Sequence, residues 1–134
     1  MILGSVVLDS KDCEELGKFY QQLLQWDFHI DVTDGMKWGI LNDPSKKSIS
    51  LVFQEEPDYV PPVWPTQAQG QQQMLHLDFY VKEDEYQDKI AHALSCGAKR
   101  VDTQFSEKWT VFFDPAGHPF CIIPVPNETG MWEG

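Results

Sequence analysis

His76, Asp78 and Tyr80 occupy alternate positions in residues 75–81, with Leu75, Leu77, Phe79 and Val81 between them. A period of two puts an imidazole, a carboxylate and a phenol on one face of a strand and the apolar side chains on the other. An imidazole beside a carboxylate can share a proton, hold a polar ligand or, with further donors, hold a divalent ion. The competing reading is a hydrogen-bonded polar row with no chemistry. Cys121 stands between Phe120 and Ile122 in another apolar run. A nucleophilic thiol needs a lowered pKa, and no basic residue nearby in sequence supplies one, so a small buried hydrophobe is the favoured reading. No phosphate-binding glycine loop, nucleophile elbow, paired cysteines or His-Glu-x-x-His sequence is present. Nucleotide, acyl-transfer and zinc-protease chemistries therefore have no support.

The elements that carry these residues are written twice. Trp38 stands ahead of Asp43-Pro44 by the same spacing as Trp109 ahead of Asp114-Pro115. Leu16, Phe19 and Tyr20 likewise correspond to Ile90, Ala93 and Leu94 at a uniform, slightly larger offset. Two copies of one unit point to a paired-module domain rather than a solenoid.

The first copy reads as a strand over residues 2–8, then a helix that Asp12 caps with Glu15 three positions on. Leu16, Phe19, Tyr20, Leu23 and Leu24 give that helix one apolar stripe, ending near Gln25. Strands over 28–32, 38–41 and 49–54 follow, with turns at Asp34-Gly35 and Asp43-Pro44. The second copy runs from the strand at 75–81 through a helix capped by Asp84 and stopped at Gly97. Its helix face is Tyr86, Ile90, Ala93 and Leu94, and its strands are expected at 100–102, 109–113 and 120–123. The proline-rich, then glutamine-rich stretch between the copies suits neither a central strand nor a helix interior. The expected organisation is one domain over 1–134: module 1 (1–54), linker (55–73), module 2 (74–124) and a tail (125–134) with Met131 and Trp132 as docking anchors.

With 134 residues and 42% hydrophobic content, the chain can bury a core. A net charge of −11 repels phosphate backbones and anionic lipid, so neither nucleic acid nor membrane is an expected partner. No run approaches the length of a membrane span, and the N-terminus lacks the pattern of a signal peptide, so a cytoplasmic location is expected. Three widely spaced cysteines fit reduced thiols. Cys13 and Cys96 at helix ends, and His92 between Ile90 and Ala93, need only solvated or packing roles. His118 is expected at the surface of its turn, and His29 has no evident partner.

This order of elements resembles the vicinal oxygen chelate superfamily, in particular its glyoxalase-like and bleomycin-resistance-like domains. The resemblance is carried by Val7-Leu8-Asp9 leading to a helix with Phe19-Tyr20 and Leu23-Leu24, and by the hairpin Phe113-Asp114-Pro115-Ala116-Gly117-His118-Pro119-Phe120. It covers nearly the whole chain. It implies an α+β fold of two tandem βαβββ modules whose strands form an incomplete barrel around a cavity, helices outside. In metal-dependent members a divalent ion is held by residues early in the first strand and late in the last strand of the modules, usually His and Glu. Those positions fall here on Ile2, His76, Ser50 and Cys121. An alkyl chain cannot ligate and a serine hydroxyl is a poor neutral ligand, leaving His76 and Cys121. Asp78 could add an oxygen or orient the imidazole. No metal cofactor is expected, and His76 is the anchor of any divalent ion that does bind.

The resemblance then makes His76, Asp78, Tyr80, Ser50 and Cys121 cavity residues. Trp38 and Trp109 become either opposite walls or core pillars, and Trp64 a cover over the mouth or an anchor between subunits. The expected function is binding of a small, partly aromatic molecule without the usual metal site. The alternative is a metal-dependent lyase, isomerase or ring-cleaving dioxygenase using His76. A homodimer is expected, because such modules leave open sheet edges and the superfamily is frequently dimeric.

Overall fold

Asp12 accepts hydrogen bonds from the amides of Glu14 and Glu15 at 3.1 and 3.0 Å, and so starts helix α1, Cys13–Leu24, where the sequence places it. The helix ends where Gln25 adopts a left-handed φ of 59° and its N–H donates to the Gln21 carbonyl. In this computed structural model, which describes residues 1–132, the first module places four strands beside that helix. They are β1 (Ser5–Ser10), β2 (Asp27–Thr33), β3 (Met36–Asn42) and β4 (Ser50–Glu55). Their order in the sheet is β1-β4-β3-β2, with β1 parallel to β4 and the other pairs antiparallel. The β2–β3 turn is the expected Asp34-Gly35, both residues at positive φ, which matches the twist of a two-residue hairpin.

Leu16, Phe19 and Tyr20 are buried as the helical spacing requires, while Leu23 and Leu24 are half-buried. The Tyr20 ring stacks on Phe53 of β4 at 5.6 Å. Phe28 of β2 takes the space left by two glycines: a β-carbon on Gly17 would stand 2.2 Å from its ring, and one on Gly39 would stand 2.8 Å away. The first strand differs from expectation. It begins at Ser5 and reaches Ser10 instead of spanning 2–8, and Ile2 lies ahead of it, 92% exposed.

The second module repeats the pattern with β5 (Leu77–Lys82), α2 (Tyr86–Cys96), β6 (Lys99–Arg100), β7 (Thr110–Phe113) and β8 (Pro119–Val125). Its sheet order, β5-β8-β7-β6, with β5 parallel to β8, is that of the first module. Phe112 stacks on Phe120 at 5.5 Å as Tyr20 does on Phe53. The expected two tandem βαβββ modules are therefore present. Asp84 is not the helix cap, because residues Glu83–Glu85 form a short 3-10 turn and α2 starts only at Tyr86, with Glu85 ahead of it and no side-chain cap. Ile90 and Ala93 are buried, but Leu94 is 45% exposed, so the apolar face of α2 is narrower than its spacing suggested.

Chain contacts cluster into two compact units, Met1–Pro61 and from Pro62 onward. The second half of the expected linker is part of the second unit: Val63 pairs in parallel with Gln72, and its N–H donates to the Gln71 carbonyl at 2.8 Å. The expected tail is shorter, since β8 runs on to Val125 and a 3-10 turn occupies Gly130–Trp132. The last two tail residues lie outside the described residues. Among the described residues no helix is long and apolar enough to cross a membrane.

Candidate functional site

Register across the second sheet assembles the site. Asp78 of β5 and Val111 of β7 both pair with Cys121 of β8, making a row across three strands. His76, immediately before β5, brings its Nε2 to 3.2 Å from Asp78 Oδ1. The Cys121 thiol meets the same carboxylate. Burial, reinforced by the negative charge of Asp78 and by a hydrogen bond to it, pushes the thiol pKa up to about 12. Cys121 is therefore a protonated thiol at neutral pH, as the sequence reading favoured, and the carboxylate is held between an imidazole and an S–H group.

Val111 and Cys121 of that row join Val101 in a buried cluster against which Trp64, Phe113 and Ile123 pack. In front of it opens a cleft of about 330 Å³. Its polar side is Gln73, His76 and Asp78; Trp64, Phe105, Trp109, Val111, Pro119 and Ile123 make it apolar elsewhere, with Cys121 on the wall. Trp64 and Phe105 meet edge to face, ring centroids 5.5 Å apart. Gln104 fastens the loop that carries Phe105 and Trp109. Its Nε2 donates to the carbonyls of Val101 and Val111 at 2.7 and 2.9 Å, and its Oε1 accepts from the Val111 N–H at 2.9 Å. One side-chain amide thus pairs with a strand as a peptide group would.

Of the residues singled out in the sequence, His76, Asp78, Cys121, Trp109 and Trp64 come together in this cleft. Tyr80 does not: it shares a strand face with Asp78 but is 51% exposed and is not in the lining. Ser50 and Trp38 lie in the first unit, where Ser50 pairs with Ser5 and its hydroxyl donates to Asn42, and Trp38 pairs with Asp31 and Gln54. Sequence reasoning missed Phe105, Gln104 and Gln73. Phe105 sits in a polar, aperiodic stretch that carries no packing signal, and the role of Gln104 depends on a backbone partner seven residues away.

His118 also departs from the expected surface position. Its ring Nδ1 lies 2.8 Å from Asp114 Oδ2, and the buried Asp114 carboxylate also accepts from the amides of Ala116 and His118. His92 lies beside Cys96, with Nε2 3.7 Å from the sulfur.

The ligand atoms of His76, Asp78 and Cys121 all lie within 4.8 Å of one another. Three donors converge where the matched family positions supplied only two. Nitrogen, oxygen and sulfur together suit a borderline ion such as zinc better than the hard magnesium or manganese ions. Cys121 would ligate such an ion only after its sulfur loses a tightly held proton.

Comparison with known proteins bears on the whole chain. A glyoxalase-like domain family model matches residues 5–123. A glyoxylase/bleomycin resistance protein/dioxygenase domain from Frankia sp. EAN1pec is similar in fold, with TM-score 0.66 at 19% identity over 92% of this chain and 97% of that one. A glyoxalase family protein from Enterococcus faecalis gives 0.66 at 19% identity over 91% and 96%. A fosfomycin resistance protein from Listeria monocytogenes, complexed with Mn(II) and dihydroxypropylphosphonic acid, gives 0.66 at 13% identity over 94% and 93%. No curated protein sequence matches the chain significantly. At these identities the likeness is one of fold.

Proposed function

Because the chain belongs to the glyoxalase-like domain family, we propose that its second module binds a small, partly aromatic, neutral or cationic molecule in the cleft of Trp64, Phe105 and Trp109, by direct contact with His76 and Asp78. The observation that carries this reading is the pairing of an aromatic-walled cleft with a single convergent imidazole–carboxylate pair. Indole faces and the Asp78 carboxylate both favour positive charge, and the chain's net charge of −11 acts in the same direction at long range. Cys121 serves as wall and hydrogen-bond donor, holding the carboxylate in place. The test is a thermal-shift screen of such ligands on the wild type, His76→Ala and Trp109→Ala. The reading requires that a stabilising ligand lose most of its effect in both variants; equal stabilisation of all three proteins would overturn it.

A second reading is favoured by the convergence of three donors. A borderline divalent ion held by His76, Asp78 and Cys121 would supply Lewis-acid polarisation of a substrate oxygen, as a metal-dependent lyase, isomerase or dioxygenase of this fold requires. Metal analysis of protein purified without chelator, followed by titration with zinc and manganese, separates the two readings. Stoichiometric metal lost in His76→Ala would establish the second. A two-fold dimer is also proposed. Light scattering at micromolar concentration decides the state.

A further inference from the structure

Trp109 has a second concave face. It lines a groove of about 240 Å³, shaped by α2, β6 and the loop that Gln104 fastens. Its lining is predominantly polar and differs in kind from that of the cleft. Two opposite charges, Arg100 and Glu107, stand on this groove, and among the described residues neither makes an ion pair with the other or with any other group. Arg100 is the sole arginine of the chain. Its guanidinium fork matches a carboxylate with two parallel hydrogen bonds, which a lysine cannot do.

The hydroxyl groups around it are arranged to donate. Tyr86 Oη and Thr110 Oγ1 are 2.6 Å apart, so one proton lies between them and the other is left to donate to a further acceptor. Ser106 Oγ accepts from the Lys108 amide at 3.0 Å, which leaves its own proton to donate. The Gln104 amide, by contrast, is consumed by backbone and only shapes the groove. Ile90 and Trp109 supply apolar surface.

We propose that this groove binds a small zwitterion carrying both a carboxylate and an ammonium, of the amino-acid class, with the carboxylate on Arg100 and the hydroxyls and the ammonium on Glu107. A simple anion would meet the repulsion of a chain with net charge −11 and the nearby Glu107 carboxylate. A zwitterion has no net charge to repel and satisfies both unpaired groups. The volume lies below the range of drug-sized pockets and suits a ligand of a few heavy atoms. The groove shares the Trp109 wall with the cleft but none of its polar groups.

The sole arginine makes the test direct, because the side chain of Arg100 contributes a single Nε–H correlation to a nitrogen–proton NMR spectrum. Labelled protein is titrated with L-leucine, with leucinol, which lacks the carboxylate, and with isocaproate, which lacks the ammonium. Saturable movement of the Arg100 Nε–H and Trp109 indole signals is expected with leucine, and affinity about 10-fold lower or worse for each of the other two. Arg100→Gln should abolish leucine binding, Arg100→Lys should weaken it, and Glu107→Gln should weaken leucine while leaving isocaproate unchanged or tighter. An Arg100 signal that does not move up to about 50 mM leucine overturns the proposal. So does isocaproate binding as tightly as leucine, or leucine binding that survives Arg100→Gln.

Discussion

The Asp78 carboxylate and the Cys121 thiol face one another across the β5–β8 ladder, so that the carboxylate bears on the protonation of the thiol. Burial first, then the charge of Asp78, raises the thiol pKa from 9.0 to about 12. The native state therefore keeps a proton that the unfolded chain releases near pH 9. Where the native state binds more protons, stability falls as pH rises. The stabilising contribution is complete below about pH 9 and is lost progressively towards about pH 12, at a cost of a few kcal/mol at most. Urea unfolding at pH 8, 9 and 10 should show a declining free energy that flattens in Cys121→Val. Identical slopes for the two proteins would contradict the assignment.

Removing the carboxylate charge should loosen that control. Asp78→Asn deletes the charge and replaces an acceptor of the thiol proton, so the thiol of Cys121 becomes more acidic while its burial persists. Alkylation by iodoacetamide, followed peptide by peptide by mass spectrometry, should leave Cys121 slower to react than Cys96 in wild type and speed it several-fold in Asp78→Asn at pH 9. The half-buried Cys96 gives the internal reference. No change at Cys121 would mean that burial alone sets its reactivity.

In the first module, the sensitive contact is between Gly17 and Phe28. Alanine at position 17 gains about 1 kcal/mol of helix propensity, but its methyl would stand 2.2 Å from the Phe28 ring, and such overpacking costs about 1–3 kcal/mol. Since Gly39 lies close to the same edge of the ring, Phe28 is packed against two backbones at once. Gly17→Ala should lose about 1–2 kcal/mol net by urea denaturation. Combined with Phe28→Leu, it should cost less than the sum of the two single changes, because the smaller side chain makes room for the methyl. Strict additivity would show that the two positions do not compete for space.

What the sequence revealed and what it concealed divide along range of interaction. The Asp12 cap and the stripe of α1 are local patterns that appear as read, whereas the expected strand over 75–81 begins only at Leu77, so that His76 reaches Asp78 from just ahead of it and Leu75 is exposed. The repeat was legible because both Asp-Pro turns and both tryptophans kept their spacing, and the repeated βαβββ order of elements that it predicted is present in both modules. Tyr80 failed because strand alternation assigns a face but not how far along that face a cleft extends. The misplaced cap at Asp84 has a local cause, since three consecutive acidic residues wind into a 3-10 turn before the helix begins. Phe105 and Gln104 were invisible for a different reason. A loop side chain acquires its role from the strand it meets, and Gln104 meets Val111 only after the sheet has formed.

The two Asp-Pro turns offer a last comparison, because the same residue type performs the same task at two depths. In the first module the half-buried Asp43 carboxylate accepts from the Ser45 hydroxyl and from the amides of Ser45, Lys47 and Ser48. Desolvation works to raise its pKa, but those hydrogen bonds together outweigh it and hold the carboxyl below its usual value. That stabilisation is complete above the unfolded pKa, near 3.8, and is lost as pH falls through the lower folded value. In the second module Asp114 is 4% exposed and accepts from Ala116 N at 2.9 Å, His118 N at 3.0 Å and His118 Nδ1 at 2.8 Å. Removing it leaves three half-buried donors without the acceptor they share, where a missing partner costs more than at a solvated turn. Asp114→Ala should therefore destabilise by about 3 kcal/mol, and His118→Gln, which removes one donor but leaves the backbone bonds, by about 1 kcal/mol. Asp43→Ala should cost less than Asp114→Ala, since water can replace its carboxylate. Chemical denaturation of the three variants at pH 7 provides the comparison, and equal losses at Asp43 and Asp114 would refute the argument from depth.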